Sequence, residues 1–364
     1  MTRANGGKRF SQATEHALGT AIATMLQQFK APGTVVGVWF PNAGNYVATA
    51  GTSDIATGHP MLMADYFRIG SITKTFTVTV LLELADEKRL GLDDPISKYV
   101  SGVPNGQNIT LRMLANMTSG LYSYTRDKAF QNALFGNPYR TFTPRELVSY
   151  GFTHDEVFSP GTGFDYSNTN TVLLGMAIES VTGQSMGEVF AEKIFRPLGM
   201  QHTVWPTTNA MPSPFAHGIT DQTLDEHIAD ATFYNPTWGF TAGQIISTLQ
   251  DVRTWVKSYT TGSLISAAIQ QQRLTWVTFP PNAPDHAYGM GIGMDHGWLG
   301  HTGELPGYNC AGYYLPSQDA TIVIMVNSDL SLGRQNPAPA LLHAITQIVS
   351  PNNVTTLAEP VNEM

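Results

Sequence analysis

The first sustained pattern is "SQATEHALGTAIATMLQQF", residues 11–29, where apolar positions return every three to four residues until Ala31-Pro32-Gly33 stops them. This predicts an amphipathic helix. The period then shortens: "TVVGVWF" and "NYVATAGTS", joined by Pro-Asn-Ala-Gly, predict a strand hairpin. Helical periodicity occupies the middle of the chain, at residues 71–89, 110–117, 143–152, 169–183, 186–195 and 243–259. Strand character returns at "AYGMGIGM", "WLGHTG", "GYNCAGYYL" and "ATIVIMVNS", before a last helix in "APALLHAITQIV". The order predicts an α/β (α+β) fold, with an antiparallel sheet made from both chain ends, flanked by the terminal helices, and a mainly helical lobe between them. The boundaries fall at residues 1–70 and 280–350 for the sheet lobe, 71–279 for the helical lobe and 351–364 for a tail. A ligand is expected in the cleft between the lobes.

Composition narrows the partners. The 364 residues are 42% hydrophobic and 13% charged, within the globular range, and the apolar runs are too short to span a membrane as a helix. A net charge of −8 without a basic block argues against nucleic acid or an anionic membrane surface. With one cysteine, Cys310, no intrachain disulfide or cysteine metal cluster can form, and its apolar strand predicts a buried thiol. "MTRANGGKRF" lacks the apolar core of a signal peptide. A cytoplasmic protein fits this beginning, as does a trimmed mature chain working outside the cytoplasm.

Candidate chemistry begins in "FRIGSITKTFT", where Ser71 and Lys74 stand three positions apart at a helix start. The spacing places both on one helix face, with the serine at the positive end. A desolvated lysine there can exchange protons with the serine. The same residues also fit a capping serine beside an exposed lysine, and the S-x-x-K spacing arises roughly once by chance at this length. Further on, "PGTGFDYSNTNTVLLG" places Tyr166, Ser167 and Asn168 on a turn into a helix. A tyrosine beside an ammonium ionises more readily, so its phenolate can take the serine proton and pass it to a leaving group. Asn168 adds an amide able to hold a substrate amide or the lysine. A plain Asx turn with a half-buried tyrosine fits too. The third element is His301-Thr302-Gly303 in "GHTGELPGY", where glycine lets the strand run close to a ligand. There the Glu304 N–H can pair with that of Ser71 as an oxyanion hole. Taken singly, His301 also fits an exposed sheet face.

In this order the three elements resemble the S-x-x-K, Tyr-x-Asn and Lys/His-Thr-Gly motifs of the serine β-lactamase and penicillin-recognising DD-peptidase superfamily. "LLELADEKRLGLDDPISKYV", "LRMLANMTSGLYSYT" and "IFRPLGM" extend the likeness over roughly residues 10–350. It is nearest to the soluble DD-carboxypeptidase and class C β-lactamase-like branch, including related esterases. The resemblance implies a β-lactamase/DD-peptidase-like fold and these roles: Ser71 as nucleophile, Lys74 and Tyr166 as the proton-handling pair, and Asn168, His301 and Thr302 as substrate-positioning groups. It also implies an oxyanion hole from the N–H groups of Ser71 and Glu304. Trp238, in "NPTWGFTAG", matches an aromatic at the edge of the family's cleft, although core packing explains it equally well. The implied activity is hydrolysis of esters or amides, including β-lactams, through an acyl-enzyme on Ser71. DD-carboxypeptidase, transpeptidase or β-lactamase action is the alternative, and a non-turnover β-lactam sensor is the alternative of another class. Cofactor and metal are not implied, and the partner is a small ester, amide, β-lactam or short D-peptide.

One departure bears on substrate choice. Between Arg273 and Arg334 the chain carries no Lys or Arg but includes Asp285, Asp295, Glu304, Asp319 and Asp329. The third-motif side of the cleft should therefore be neutral or negative, without a strong partner for a C-terminal carboxylate. His217 and His227 flank acidic residues without a zinc spacing, which predicts a solvated loop.

Overall fold

A computed structural model describes residues 2–3, 8–278, 285–333 and 335–357, so parts of the sheet lobe and tail boundaries read above lie outside the described residues. Helix α1 (Gln12–Gln28) starts at Ser11, whose hydroxyl accepts the Thr14 N–H, and buries Leu18, Ile22 and Met25 along one stripe. β1 (Gly33–Phe40) and β2 (Gly44–Asp54) form the expected hairpin. The helices that bear on the site are α2 (Ile72–Asp86), α3 (Asn168–Thr182) and α4 (Leu249–Thr261). The chain returns to the sheet as β3 (His286–Tyr288), β4 (Gly293–Asp295), β5 (Trp298–Leu305), β6 (Tyr308–Leu315) and β7 (Ala320–Val326), then ends in α5 (Pro337–Val349).

Strands run in the order Thr2–Arg3, β2, β1, β7, β6, β5, β4, β3, Val277–Thr278, and neighbours are antiparallel. The middle of the sheet joins opposite chain ends, with Thr34 facing Val326. Alternate residues of β1 and β7 serve different cores. Val36, Val38, Ile322 and Ile324 pack with Leu18, Ile22, Leu341 and Ile345 of α1 and α5. Val35, Val323 and Met325 pack with Ile72, Phe76 and Trp255 of α2 and α4. Because both faces are covered, these strands read as nearly continuous apolar runs rather than as apolar–polar alternation.

Helix α2 is buried around almost its whole circumference, so its threonines must be satisfied internally. Thr77 donates to Thr241 O at 2.8 Å, while Thr73 and Thr75 accept from the Ile245 N–H and Trp255 Nε1 at 3.2 and 2.6 Å. Phe76, stacked on Trp255 at 3.9 Å between ring centroids, fills the centre of this core. Phe76→Ala is expected to cost about 3–5 kcal/mol, read as a lower urea midpoint at unchanged slope. A loss below about 1 kcal/mol would show that the surrounding rings close the gap.

Two predicted elements are corrected. The helix expected over 243–259 begins only at Leu249, because Ile246 and Ser247 are extended and pair with Arg68 and Phe67. Their apolar spacing reflects burial, which a strand bridge shares with a helix. The single strand expected in "AYGMGIGM" is the β3–β4 hairpin. It turns at Gly289, where a Cβ would stand 2.3 Å from Arg273 O, and at Gly291, which has φ +63°. The expected helix 186–195 runs as α-helix to Phe190 and continues as a π-turn. Helices Lys128–Gly136 and Ala267–Arg273 have no counterpart in the sequence reading. Among the described residues, no helix is long and apolar enough to cross a membrane.

Candidate active site

The approach to Ser71 is fixed by backbone crowding. Gly70 has φ +51°, and a Cβ there would lie 2.5 Å from the Glu304 nitrogen, so only glycine fits. The same contact brings the backbone of Glu304 beside Ser71. Ser71 opens α2 without a side-chain capping bond. Its Oγ instead accepts from Lys74 Nζ at 2.7 Å, and the ammonium also donates to Ala242 O at 3.0 Å. Lys74 is 0% exposed, which disposes of the solvated-lysine reading. A charge so buried needs close compensation, which the serine hydroxyl, the carbonyl and the face of Tyr166, 4.8 Å from Nζ to the ring centroid, provide.

Asn168 is the first residue of α3, and two hydroxyls hold it from a distant segment. Its N–H donates to Ser123 Oγ at 3.1 Å and its Nδ2 to Thr125 Oγ1 at 2.9 Å. Trp238 is buried and also lines a cavity of about 20 Å³ with Ser71, Asn168, Tyr124 and Glu304. The Tyr124 hydroxyl secures the Trp238 carbonyl at 2.6 Å.

His301, Thr302 and Glu304 lie along β5. Gly303 between them is obligatory, since a Cβ would meet Ile69 O at 2.0 Å. His301 is buried rather than displayed on an exposed sheet face. Its Nδ1 is 2.5 Å from Thr302 O and its Nε2 is 3.0 Å from the Tyr288 hydroxyl. Burial first, then the positive charge of Lys74, pushes its pKa down to about 3, so the ring is neutral at ordinary pH. The rings of Tyr166, His301 and Tyr288 lie 5.8–6.1 Å apart, centroid to centroid. Glu304 accepts from Asn336 Nδ2 and from Gln222 Nε2, and Gln222 also reaches the buried Asp329 at 2.6 Å. Burial raises Asp329 to about 7.

A second cavity, about 140 Å³, extends from Tyr166 and His301 past Phe164, Tyr288 and Met294 to Glu304. Among the described residues that line it there is no lysine or arginine. Arg273 is buried elsewhere, donating to Tyr259 O and Thr79 Oγ1 at 2.6 and 2.5 Å. Arg126, near the tyrosine turn, is paired with Asp165. Arg334 lies outside the described residues. Away from the site, His217 pairs with Asp230 and His227 with Asp225. Cys310 is buried, with its thiol pKa raised by desolvation.

The fold thus brings Ser71, Lys74, Tyr166, Asn168, Trp238, His301, Thr302 and Glu304 around two adjoining cavities. A hydroxyl bonded to a buried ammonium that lies over a tyrosine ring is an arrangement able to activate a serine as a nucleophile. Three supports escaped sequence reasoning. The Ala242 carbonyl leaves no trace in side-chain identity, and Ser123 with Thr125 sat in a stretch read for likeness alone. Tyr288 lay in a run read as a plain strand, where a tyrosine among glycines was the available signal.

Residues 20–347 match the family model described as Beta-lactamase. The protein Flp of Staphylococcus aureus is 28% identical over 369 aligned residues, spanning 98% of this chain and 70% of Flp. A D-stereospecific amidohydrolase from a Streptomyces species superposes with a TM-score of 0.80 at 33% identity, covering 87% of this chain and 95% of that one. The D-amino acid amidase of Ochrobactrum anthropi SV3 superposes with a TM-score of 0.81 over 93% of this chain and 98% of that one; at 23% identity it speaks for the fold alone.

Proposed function

The chain belongs to the beta-lactamase family, and from that premise we propose that it is a serine hydrolase cleaving small esters or amides that carry no carboxylate, through an acyl-enzyme on Ser71. The observation that carries this reading is the 2.7 Å bond from the buried Lys74 ammonium to Ser71 Oγ. In the proposed cycle Ser71 Oγ adds to the substrate carbonyl carbon while Tyr166 takes its proton. The bond to the leaving group then breaks, and Tyr166 hands that proton to the departing alcohol or amine. Water next adds to the acyl-enzyme with Tyr166 as base, and the collapsing intermediate returns a proton to Ser71. Lys74 stays cationic and stabilises the phenolate. The N–H groups of Ser71 and Glu304 receive the oxyanion. Asn168 and Thr302 orient the substrate.

Substrate class follows from charge. A cavity wall without lysine or arginine among its described residues offers no charge-assisted partner to a C-terminal carboxylate. The likeness to a D-stereospecific amidohydrolase supports D-amino acid amides and esters as first candidates. The test is a panel of a short-chain nitrophenyl ester, a D-amino acid amide, a chromogenic cephalosporin and a peptide ending in D-Ala-D-Ala. Such a hydrogen bond to a charged group contributes roughly 1.5–3 kcal/mol, so the substrates without a carboxylate are expected to lead the peptide by about 10- to 150-fold in kcat/KM. Met294 lines the cavity, and Met294→Arg should return part of that difference. Release of D-alanine by the unmodified protein at its best ester rate would overturn this reading of substrate charge.

A further inference from the structure

We propose that Tyr288 is a positioning residue for His301: its hydroxyl donates to the imidazole Nε2, fixes its tautomer, and opposes the gain of a charge that would draw anionic substrate ends into the cleft in acid solution. The consequence for substrates rests on the hydrolase reading above; the state of the imidazole does not.

The hydrogen-bond inventory of the histidine, together with its burial beside Lys74, sets the direction. A backbone carbonyl can only accept, so the 2.5 Å contact with Thr302 O requires the hydrogen on Nδ1. A neutral imidazole has one N–H, which leaves Nε2 with a lone pair, and the Tyr288 hydroxyl 3.0 Å away completes it as donor. Protonating Nε2 would turn that hydroxyl into an acceptor and place a second cation beside Lys74 in a buried site. The groups facing His301 are Lys74 from α2, Tyr166 from the turn before α3 and Tyr288 from β3. On β6 it stands opposite Gly312, which brings no charge. His286, Asp295 and Glu304 line the same cavity farther along. Tyr288 also packs edge-on against Tyr166, which fixes the orientation of its ring.

Without the Tyr288 hydroxyl, Nε2 would keep its lone pair and face the cavity. The neutral form would lose a hydrogen bond, and protonation would become easier by about half to one pH unit. The imidazolium so formed would supply the cation that the cavity wall lacks.

Two measurements on the full-length protein test this. Nitrogen-15 NMR of the histidine rings, with His301 assigned by comparison with His301→Gln, should find the hydrogen on Nδ1 and no titration above about pH 4 in the unmodified protein. In Tyr288→Phe, which keeps the ring packing, the transition should move upward by about half to one unit. Second, the ratio of kcat/KM for a carboxylate-bearing ester to that for its neutral analogue should rise several-fold in Tyr288→Phe between about pH 6 and pH 4, beyond its change in the unmodified protein. Adding His301→Gln to Tyr288→Phe should abolish that extra rise, which a merely structural role for Tyr288 would not predict. A hydrogen on Nε2 in the unmodified protein, or an unmoved titration in Tyr288→Phe, overturns the assignment. Should no ester be turned over, the hydrolase reading fails while the NMR result still decides the role of Tyr288.

Discussion

Ser71→Ala is expected to abolish turnover and to remove labelling by a fluorophosphonate or a fluorescent penicillin. The change deletes one oxygen from a residue that makes no helix-capping bond, so the fold should survive it. Deleting the nucleophile of a serine protease lowers kcat on the order of 10⁶-fold, and a loss of that scale is expected here. Among the described residues no other lysine reaches a serine hydroxyl: Lys8, Lys98, Lys193 and Lys257 bond a carbonyl or carboxylates. A substitute nucleophile with the same activation is therefore missing from this set. Labelling that persists in the variant at the original rate would place the reactive group elsewhere and end the assignment.

Lys74→Met should lower kcat/KM by about 10²–10⁴-fold, the range for a group handling the reacting proton. Stability should respond quite differently. The ammonium is fully buried and bonds a hydroxyl and a carbonyl, so it bears a desolvation penalty that a thioether of similar length does not. Against this, Ala242 O loses its donor. The two effects oppose each other, and a melting temperature close to that of the unmodified protein is expected. Retained activity would demote Lys74 to a packing role. Lost activity together with a collapse of the melting temperature would show that the charge is needed for folding rather than for chemistry.

The burial of Lys74 was legible in principle from the helix that carries it. Residues 72–84 are apolar or threonine at nearly every turn, and a helix without a polar face has nowhere to put an exposed lysine. Order along the chain placed Ser71, Tyr166 and His301, since each sits in a motif with fixed neighbours. What the sequence could not give was contact across distance. Asn168 is held by Ser123 and Thr125, more than forty positions earlier, through hydroxyls that look like any others on a turn. Ala242 acts through its carbonyl, so no side-chain reading could reveal it. The break at Ile246 was hidden because its periodicity encodes burial and not backbone conformation. The hairpin at Gly289 and Gly291 was hidden by the opposite problem, since its strands are too short for alternation to declare itself.

The pairing of β1 with β7 has a consequence for how the protein comes into being. Thr34 Oγ1 donates to Met325 O, 291 positions further on, so the sheet cannot close until the chain as far as β7 has left the ribosome. At about 5–20 residues per second, roughly 15–60 seconds separate the synthesis of the two strands. Through that interval the β1–β2 hairpin has one open edge, and α2, which the finished fold buries on almost every side, has no completed sheet to pack against. Contacts so distant in sequence also slow the final closure. Nascent chains should therefore spend long enough in an adhesive, half-built state to engage a chaperone, and the pocket around Ser71 should be among the last parts of the molecule to form, because Glu304 reaches it only with β5.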